Sequence, residues 1–227
     1  MDDIRLIDVR KSILADNEDQ AESIRQDLDR QNVYMVNVMA SPGAGKTSVI
    51  IQTIRRLRQE LRLAVIEGDV ESVVDSEKIA AEGIPVVQIQ TGGACHLDAP
   101  MISAALEKLD LDSADLIFVE NIGNLICPAE FDTGADLKAM ILSVPEGDDK
   151  VLKYPLMFSV CDVLLVNKVD YLDGSDFNMD LLRRRARELN PLIQIFEVSC
   201  KTGAGFEEWS QWLLKEVREK AHVNKAR

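Results

Sequence analysis

Residues Ala40-Ser41-Pro42-Gly43-Ala44-Gly45-Lys46-Thr47 limit what this 227-residue chain can fold into more than any other stretch. They follow a β-rich apolar run, Tyr34 to Met39, and open a helical pattern, Thr47 to Leu61. A strand that turns through two glycines straight into a helix gathers inward-facing backbone N–H groups and the positive helix N-terminus at one point, where an oligophosphate is best held. Gly43, Ala44 and Gly45 then form the cradle, and Lys46 supplies a point charge to the β and γ phosphates. Thr47 offers a hydroxyl to Mg²⁺, with Ser48 beside it in the first helical turn. Alanine stands at position 40, where the pattern has its first glycine; that methyl lies at the strand end, away from the phosphates.

The rest of the chain repeats the strand-then-helix rhythm. Further apolar runs lie at Leu63 to Ile66, Val86 to Gln90, Leu116 to Glu120, Met140 to Val144, Val163 to Val166 and Ile193 to Val198, and helical patterns at Glu71 to Ala81, Pro100 to Leu109 and Met179 to Leu189. Runs that are apolar throughout fit strands covered on both faces, and the spacing leaves room for crossover helices. The expectation is an α/β P-loop NTPase fold with a mostly parallel seven-stranded sheet flanked by helices. Phe206, Trp209, Trp212, Leu213 and Val217 share one face of a final helix, and both tryptophans read as core. One domain spans 33–220. The polar segment 1–32 reads as a helix on the sheet edge or an arm, and 221–227, with His222, as a frayed tail.

Composition narrows the partners. With 26 basic and 39 acidic residues the net charge is −13, which argues against a nucleic-acid backbone and favours cations. No run approaches the roughly 18 apolar residues of a membrane span, and nine carboxylates in the first thirty residues are unlike a secretory signal, so a cytosolic location is expected. Cysteines at 95, 127, 161 and 200 are too few and too irregular for a disulfide scaffold.

A second motif, Asn167-Lys168-Val169-Asp170, directly follows the run Val163 to Val166 and resembles the guanine-specificity motif of GTPases. The Asp170 carboxylate can accept from guanine N1–H and the exocyclic amine, whereas adenine would leave it unpaired. Ser199-Cys200-Lys201 matches the backing loop against the base, which makes Cys200 structural. In Glu120-Asn121-Ile122-Gly123, Glu120 can order Mg²⁺ through water and the Gly123 amide can meet the γ-phosphate. Asp69 is assigned to the Mg²⁺ shell and Asp75 to orienting the attacking water; an ordinary helical pair with Lys78 is the other reading of Asp75.

Gly92-Gly93-Ala94-Cys95-His96-Leu97-Asp98 lies between an apolar run and a helical pattern. Adjacent side chains on a strand face opposite ways, so Cys95 and His96 can serve one metal only where the backbone bends, which two glycines permit. Cys127 lies four residues beyond Gly123. Thiolate and imidazole suit Zn²⁺ or Ni²⁺, and three ligands leave a tetrahedral site one short, a shortfall that a two-fold homodimer with shared thiolates would meet. Cys161, before an apolar strand, reads as core.

These segments together resemble the HypB family, the nickel-delivering GTPases of nickel–iron hydrogenase maturation, over about Val33 to Trp212. The resemblance rests on Ser-Pro-Gly-Ala-Gly-Lys-Thr, Glu-Gly-Asp-Val-Glu-Ser, Thr-Gly-Gly-Ala-Cys-His-Leu-Asp-Ala, Glu-Asn-Ile-Gly-Asn-Leu-Ile-Cys-Pro-Ala-Glu-Phe-Asp and Asn-Lys-Val-Asp. It implies a SIMIBI-like GTPase fold, slow hydrolysis of GTP to GDP, nucleotide-linked dimerisation, and Ni²⁺ or Zn²⁺ at Cys95, His96 and Cys127. It also implies transfer to a hydrogenase large-subunit precursor with a HypA-type metallochaperone. Relatives with an extra N-terminal Cys motif or His-rich stretch hold nickel more tightly; the first cysteine here is Cys95, so transfer rather than storage is expected. The alternatives are a urease-accessory type, which places a proline between the metal-binding Cys and His, a nucleotide-binding metal store or scaffold, and a guanine-nucleotide protein indifferent to metals.

Overall fold

Seven strands of a computed structural model organise the chain, the five inner ones buried on both faces and the two outer ones half-buried; backbone is described for residues 9–225 and side chains for residues 14–224. In chain order the elements are α1 (Val9–Gln31), β1 (Tyr34–Ala40), α2 (Lys46–Leu57), β2 (Leu63–Asp69), α3 (Val74–Ala80), β3 (Val86–Gln90), α4 (Ala99–Leu106) and β4 (Leu116–Glu120). There follow α5 (Cys127–Glu130), β5 (Leu137–Ser143), α6 (Lys150–Lys153), α7 (Pro155–Val160), β6 (Val163–Asn167), α8 (Met179–Leu189), β7 (Gln194–Glu197) and α9 (Phe206–Lys225). The sheet order is β3-β2-β4-β1-β5-β6-β7, and every pairing is parallel.

Alternation along the strands sends side chains to the two faces of the sheet, where they join three apolar clusters. Val36, Val38, Val65, Phe118, Ile141 and Leu165 face α2, Ile79 of α3 and the Phe206, Trp209, Leu213 and Val217 stripe of α9. Met35, Ile66, Ile117 and Val119 face α1 and α4, while Met39, Met140, Leu142, Leu164 and Val166 face α7 and α8. Burial of each large apolar side chain contributes about 1.5–3 kcal/mol, so a period-2 register specified on both faces is strongly held. Trp209 is fully buried and donates from Nε1 to Thr53 Oγ1 at 3.0 Å, whereas Trp212 is half-buried at the core margin.

Several expected boundaries move for physical reasons. β5 begins at Leu137, ahead of the apolar run, because Lys138 points to its half-exposed side while its N–H is taken by the Asp162 carboxylate at 2.8 Å. α3 starts at Val74 rather than Glu71, because the Asp69 carboxylate accepts from the Glu71 and Ser72 amides (3.0 and 2.9 Å) and holds them in a turn. α1 does not lie on the sheet edge: Ala21, Ile24 and Leu28 pack into the core over β1 and β4, and Arg25 pairs with Asp132 at 3.0 Å. Backbone helix continues through Lys225, past the point where fraying was expected, and His222 sits exposed on it; residues 226–227 of that expected tail, like residues 1–8 of the expected arm, lie outside the described residues. Among the described residues no helix is long and apolar enough to cross a membrane. Cys161 is fully buried, its thiol pushed far up by burial.

Parallel strands end together. Ala40, Asp69, Glu120, Ser143 and Asn167 therefore open one edge of the sheet, and between β4 and β5 the chain crosses from one side of β1 to the other, the place where open α/β sheets bind ligands.

Candidate functional site

The phosphate loop is built on its glycines. Gly43 and Gly45 take φ of +77° and +101°, and at Gly45 a Cβ would stand 2.6 Å from Asn167 Nδ2, so this position excludes side chains on two grounds. Asn167 Nδ2 donates to the Ala44 carbonyl at 2.9 Å, and Lys168 Nζ to the Gly43 carbonyl at 2.8 Å. The carbonyl oxygens that would repel a phosphate are thus engaged from the strand β6 side. Lys168 adopts φ +62° to make this reach, a strain of about 1–2 kcal/mol offset by its hydrogen bond.

Beside the loop, a cavity of about 290 Å³ is lined by Gly45, Ser48, Pro145, Asn167, Lys168, Asp170, Tyr171, Cys200 and Lys201. Asp170 Oδ1 accepts from Ser199 Oγ at 2.5 Å. Its buried Oδ2 has no hydrogen bond among the described residues, with Lys201 Nζ 3.9 Å away. A desolvated carboxylate oxygen without a hydrogen bond, on a residue that lines a cavity, is an acceptor waiting for a donor, as guanine N1–H or N2–H would be. Cys200 donates backbone N–H and thiol toward Asn167 Oδ1 at 3.4 Å, and burial pushes its thiol up to about 11, which suits a backing role.

A second cavity, of about 340 Å³, opens at the ends of β2 and β4 and is lined by Pro42, Gly43, Lys46, Glu67, Gly68, Asp69, Val70, Asp75, Glu120, Asn121, Ile122 and Gly123. Thr47 Oγ1 donates to Glu120 Oε1 at 2.8 Å, and Glu120 Oε2 is buried without a partner among the described residues. Burial pushes the Glu120 carboxyl up to about 7, against the pull of Lys46. For Asp69, burial is outweighed by backbone N–H donors, which hold the carboxylate below its ordinary range. This all-oxygen donor set fits Mg²⁺. Asp75 lines the cavity, and its Oδ1 accepts from Lys78 Nζ at 2.7 Å, the ordinary helical pair of its second reading. Glu67 was not anticipated. It is 2% exposed, stands opposite Glu120 in the β2–β4 register, accepts from Ser76 Oγ at 2.9 Å, and is pushed up to about 7 by burial. A glutamate inside an otherwise apolar buried strand was the signal that could have revealed it. Pro145 and Tyr171 had no such signal.

The third constellation brings Cys95, His96 and Cys127 together, their ligand atoms all within 4.8 Å of one another. Gly92 and Gly93 have φ of +60° and +120°, the bend that lets adjacent Cys95 and His96 face one point. The Cys95 thiol donates to Cys127 Sγ at 2.9 Å and lies 3.8 Å from His96 Nδ1. The shared hydrogen bond with Cys95 raises the Cys127 thiol, and burial lowers His96, which favours the neutral imidazole that ligates metal. His96 stacks on Phe131 with centroids 3.9 Å apart. Asn124 Nδ2 donates to the Cys95 carbonyl at 3.2 Å, tying the two loops.

The chain is similar to known proteins in both sequence and fold. The model of the CobW/HypB/UreG nucleotide-binding domain matches residues 34–197. The hydrogenase maturation factor HypB of Rhizobium leguminosarum bv. viciae is 44% identical over 209 residues, covering 92% of this chain and 70% of the relative. Solved structures of HypB from Archaeoglobus fulgidus (TM-score 0.84, 40% identity, 90% of this chain and 100% of that one) and from Helicobacter pylori in complex with nickel (0.85, 35%, 90% and 96%) superpose closely. The signal recognition particle receptor FtsY of Elizabethkingia anophelis (0.53, 16%, 80% and 65%) shares the fold alone.

Proposed function

The chain belongs to the CobW/HypB/UreG nucleotide-binding family, and within it to the HypB group, and from that membership we propose that it is a GTPase that delivers nickel during hydrogenase maturation. The observation that carries the reading is one loop with two ends: Gly123 lines the phosphate cavity and Cys127, four residues on, meets Cys95 and His96. Fuel and cargo are thereby mechanically joined.

GTP binds with its base against Asp170, Asn167 and the Ser199-Cys200-Lys201 loop. Its phosphates lie along Gly43 to Ser48, with the Lys46 ammonium compensating charge on the β and γ groups. Thr47, Asp69 and Glu120 would hold Mg²⁺, which when bound would neutralise phosphate charge. Asp75 orients water for attack and Lys46 stabilises the charge that develops as the bond to the γ-phosphoryl group breaks, giving GDP and phosphate. The Gly123 amide contacts the γ-phosphate and sets the position of Cys127. With three ligands per chain, a fourth comes from a second copy across a two-fold axis, so GTP favours a homodimer that grips Ni²⁺, with Zn²⁺ as the alternative occupant, and hydrolysis loosens it for a HypA-type partner or the hydrogenase precursor.

The test is a competition for Ni²⁺ between the protein and a chromophoric chelator, with GDP or a non-hydrolysable GTP analogue bound. Tighter hold with the analogue is expected. Equal affinity in the two states removes the coupling, since a ligand shifts only equilibria it distinguishes. No phosphate release from the wild-type protein under any metal condition would leave a nucleotide-binding metal scaffold.

A further inference from the structure

Asn121 is fully buried next to Glu120, and no role assigned above uses its side chain. Its Oδ1 accepts two backbone N–H groups, that of Ile122 at 2.9 Å and that of Leu97 at 3.1 Å, while its Nδ2 donates to Asn37 Oδ1 in the middle of β1 at 3.1 Å. Two donors on one side and an acceptor on the other dictate which way the carboxamide faces. Ile122 precedes Gly123; Leu97 follows His96. One oxygen atom therefore joins the loop beside the phosphate cavity to the loop that carries Cys95 and His96.

A packing contact reinforces the same link. The Leu97 side chain is fully buried and lies so close to Gly68 that a Cβ there would stand 2.7 Å from Leu97 Cδ1, and Gly68 adjoins Asp69 at the end of β2. On the other side, a Cβ on Gly123 would stand 2.9 Å from Pro42 Cγ of the phosphate loop. The end of β2 thus bears on the Leu97 side chain, and the end of β4 reaches its backbone N–H through Asn121. The Asn124 link to the Cys95 carbonyl is exposed, where water competes for the same groups, whereas the Asn121 bonds are shielded and their loss leaves buried polar atoms unpaired.

We propose that Asn121 is the positioning residue through which nucleotide state sets the geometry of the Cys95–His96 pair. The inference rests on the reading that nickel hold depends on the nucleotide. When a γ-phosphate draws the Gly123 amide, the adjoining peptide turns and the Ile122 N–H shifts on the shared oxygen. Because Nδ2 is pinned to Asn37, the carboxamide cannot slide to follow, and the Leu97 N–H adjusts, carrying His96 and Cys95 with it. The arrangement is one element with two settings, which is what coupling between sites requires.

The experiment uses the full chain in the same chelator competition. Wild type is expected to give a ratio of nickel affinities, GTP analogue over GDP, in the range of about 5–150 typical of coupled sites. In Asn121→Ala the ratio should fall close to one while both nucleotides still bind. Asn37→Ala, which frees the carboxamide but leaves its oxygen in place, should give an intermediate ratio. A wild-type ratio of one overturns the functional reading and this inference with it; a wild-type ratio that survives in Asn121→Ala overturns this inference alone. Should Asn121→Ala fail to fold, amide exchange in the wild-type protein decides: Leu97 N–H protection is expected to differ between the two nucleotide states, and equal protection alongside a persisting nickel ratio overturns the role of Asn121.

Discussion

Replacing Asp170 by asparagine tests the base-reading site most directly. In the structure one carboxylate oxygen already takes the Ser199 hydroxyl at 2.5 Å and the other is buried without a hydrogen bond. Guanine N1–H and N2–H would add two charge-assisted hydrogen bonds, each worth about 1.5–3 kcal/mol. In Asp170→Asn the charge is gone and an NH₂ replaces one acceptor, so a donor faces guanine's donors. The loss of roughly 3–6 kcal/mol corresponds to a fall in GTP affinity of about 10²–10⁴-fold, at 1.4 kcal/mol per tenfold. A xanthine nucleotide, with a carbonyl where guanine has its amine, matches the new donor and should lose far less. Titration of fluorescent GDP and competition by GTP and XTP give both numbers, and a melting curve shows whether the variant folds as wild type does. A GTP affinity within about threefold of wild type, or no relative gain for XTP, would refute the assignment of Asp170 to the base.

Other consequences are open to simple measurements. Lys46→Ala should abolish measurable phosphate release, as expected from removing a principal donor to the transferring group; retained release would take Lys46 out of the chemistry. Cys127→Ser should weaken nickel binding by at least about tenfold and diminish the thiolate-to-metal absorption band, a loss not expected of Cys161→Ser. Thr53→Val leaves the Trp209 indole N–H unpaired in the core, at about 1–3 kcal/mol, and should lower Tm by roughly 2–12 °C in a calorimetric scan. Against the opposing effect of burial, the Gly134 amide, Lys138 and Arg25 hold Asp132 below the ordinary carboxylate range. Its contribution is complete above the unfolded value of about 3.9 and is lost as pH falls through the lower folded value. The gap in urea midpoint between wild type and Asp132→Asn should therefore narrow between pH 5 and the acid limit; a constant gap would show that the ion pair contributes nothing.

Strand and loop signals were legible wherever the information is local. β3, β4 and α8 occur where periodicity puts them, and the phosphate loop and the Asn167-Lys168-Val169-Asp170 motif lie at strand ends as their spacing requires. That the sheet is parallel was legible from runs apolar throughout, such as Val163 to Val166, which fit strands covered on both faces; the strand order was not. Less visible were short helices such as α6 and α7, each held by packing rather than by a pattern long enough to read.

Residue type and spacing along the chain were enough to imply a phosphate cradle, a base-reading carboxylate and three soft ligands, because each depends on neighbours within a few positions. Juxtaposition across long separations lay beyond that reach. That Glu67 stands beside Glu120, that α1 covers the central strands, and that Asn121 holds Ile122, Leu97 and Asn37 at once all depend on which strand became whose neighbour. A carboxamide has no periodicity and no motif of its own. Its meaning comes from the donors and acceptors that the folded sheet places around it, where water has been excluded and every polar atom must find a partner.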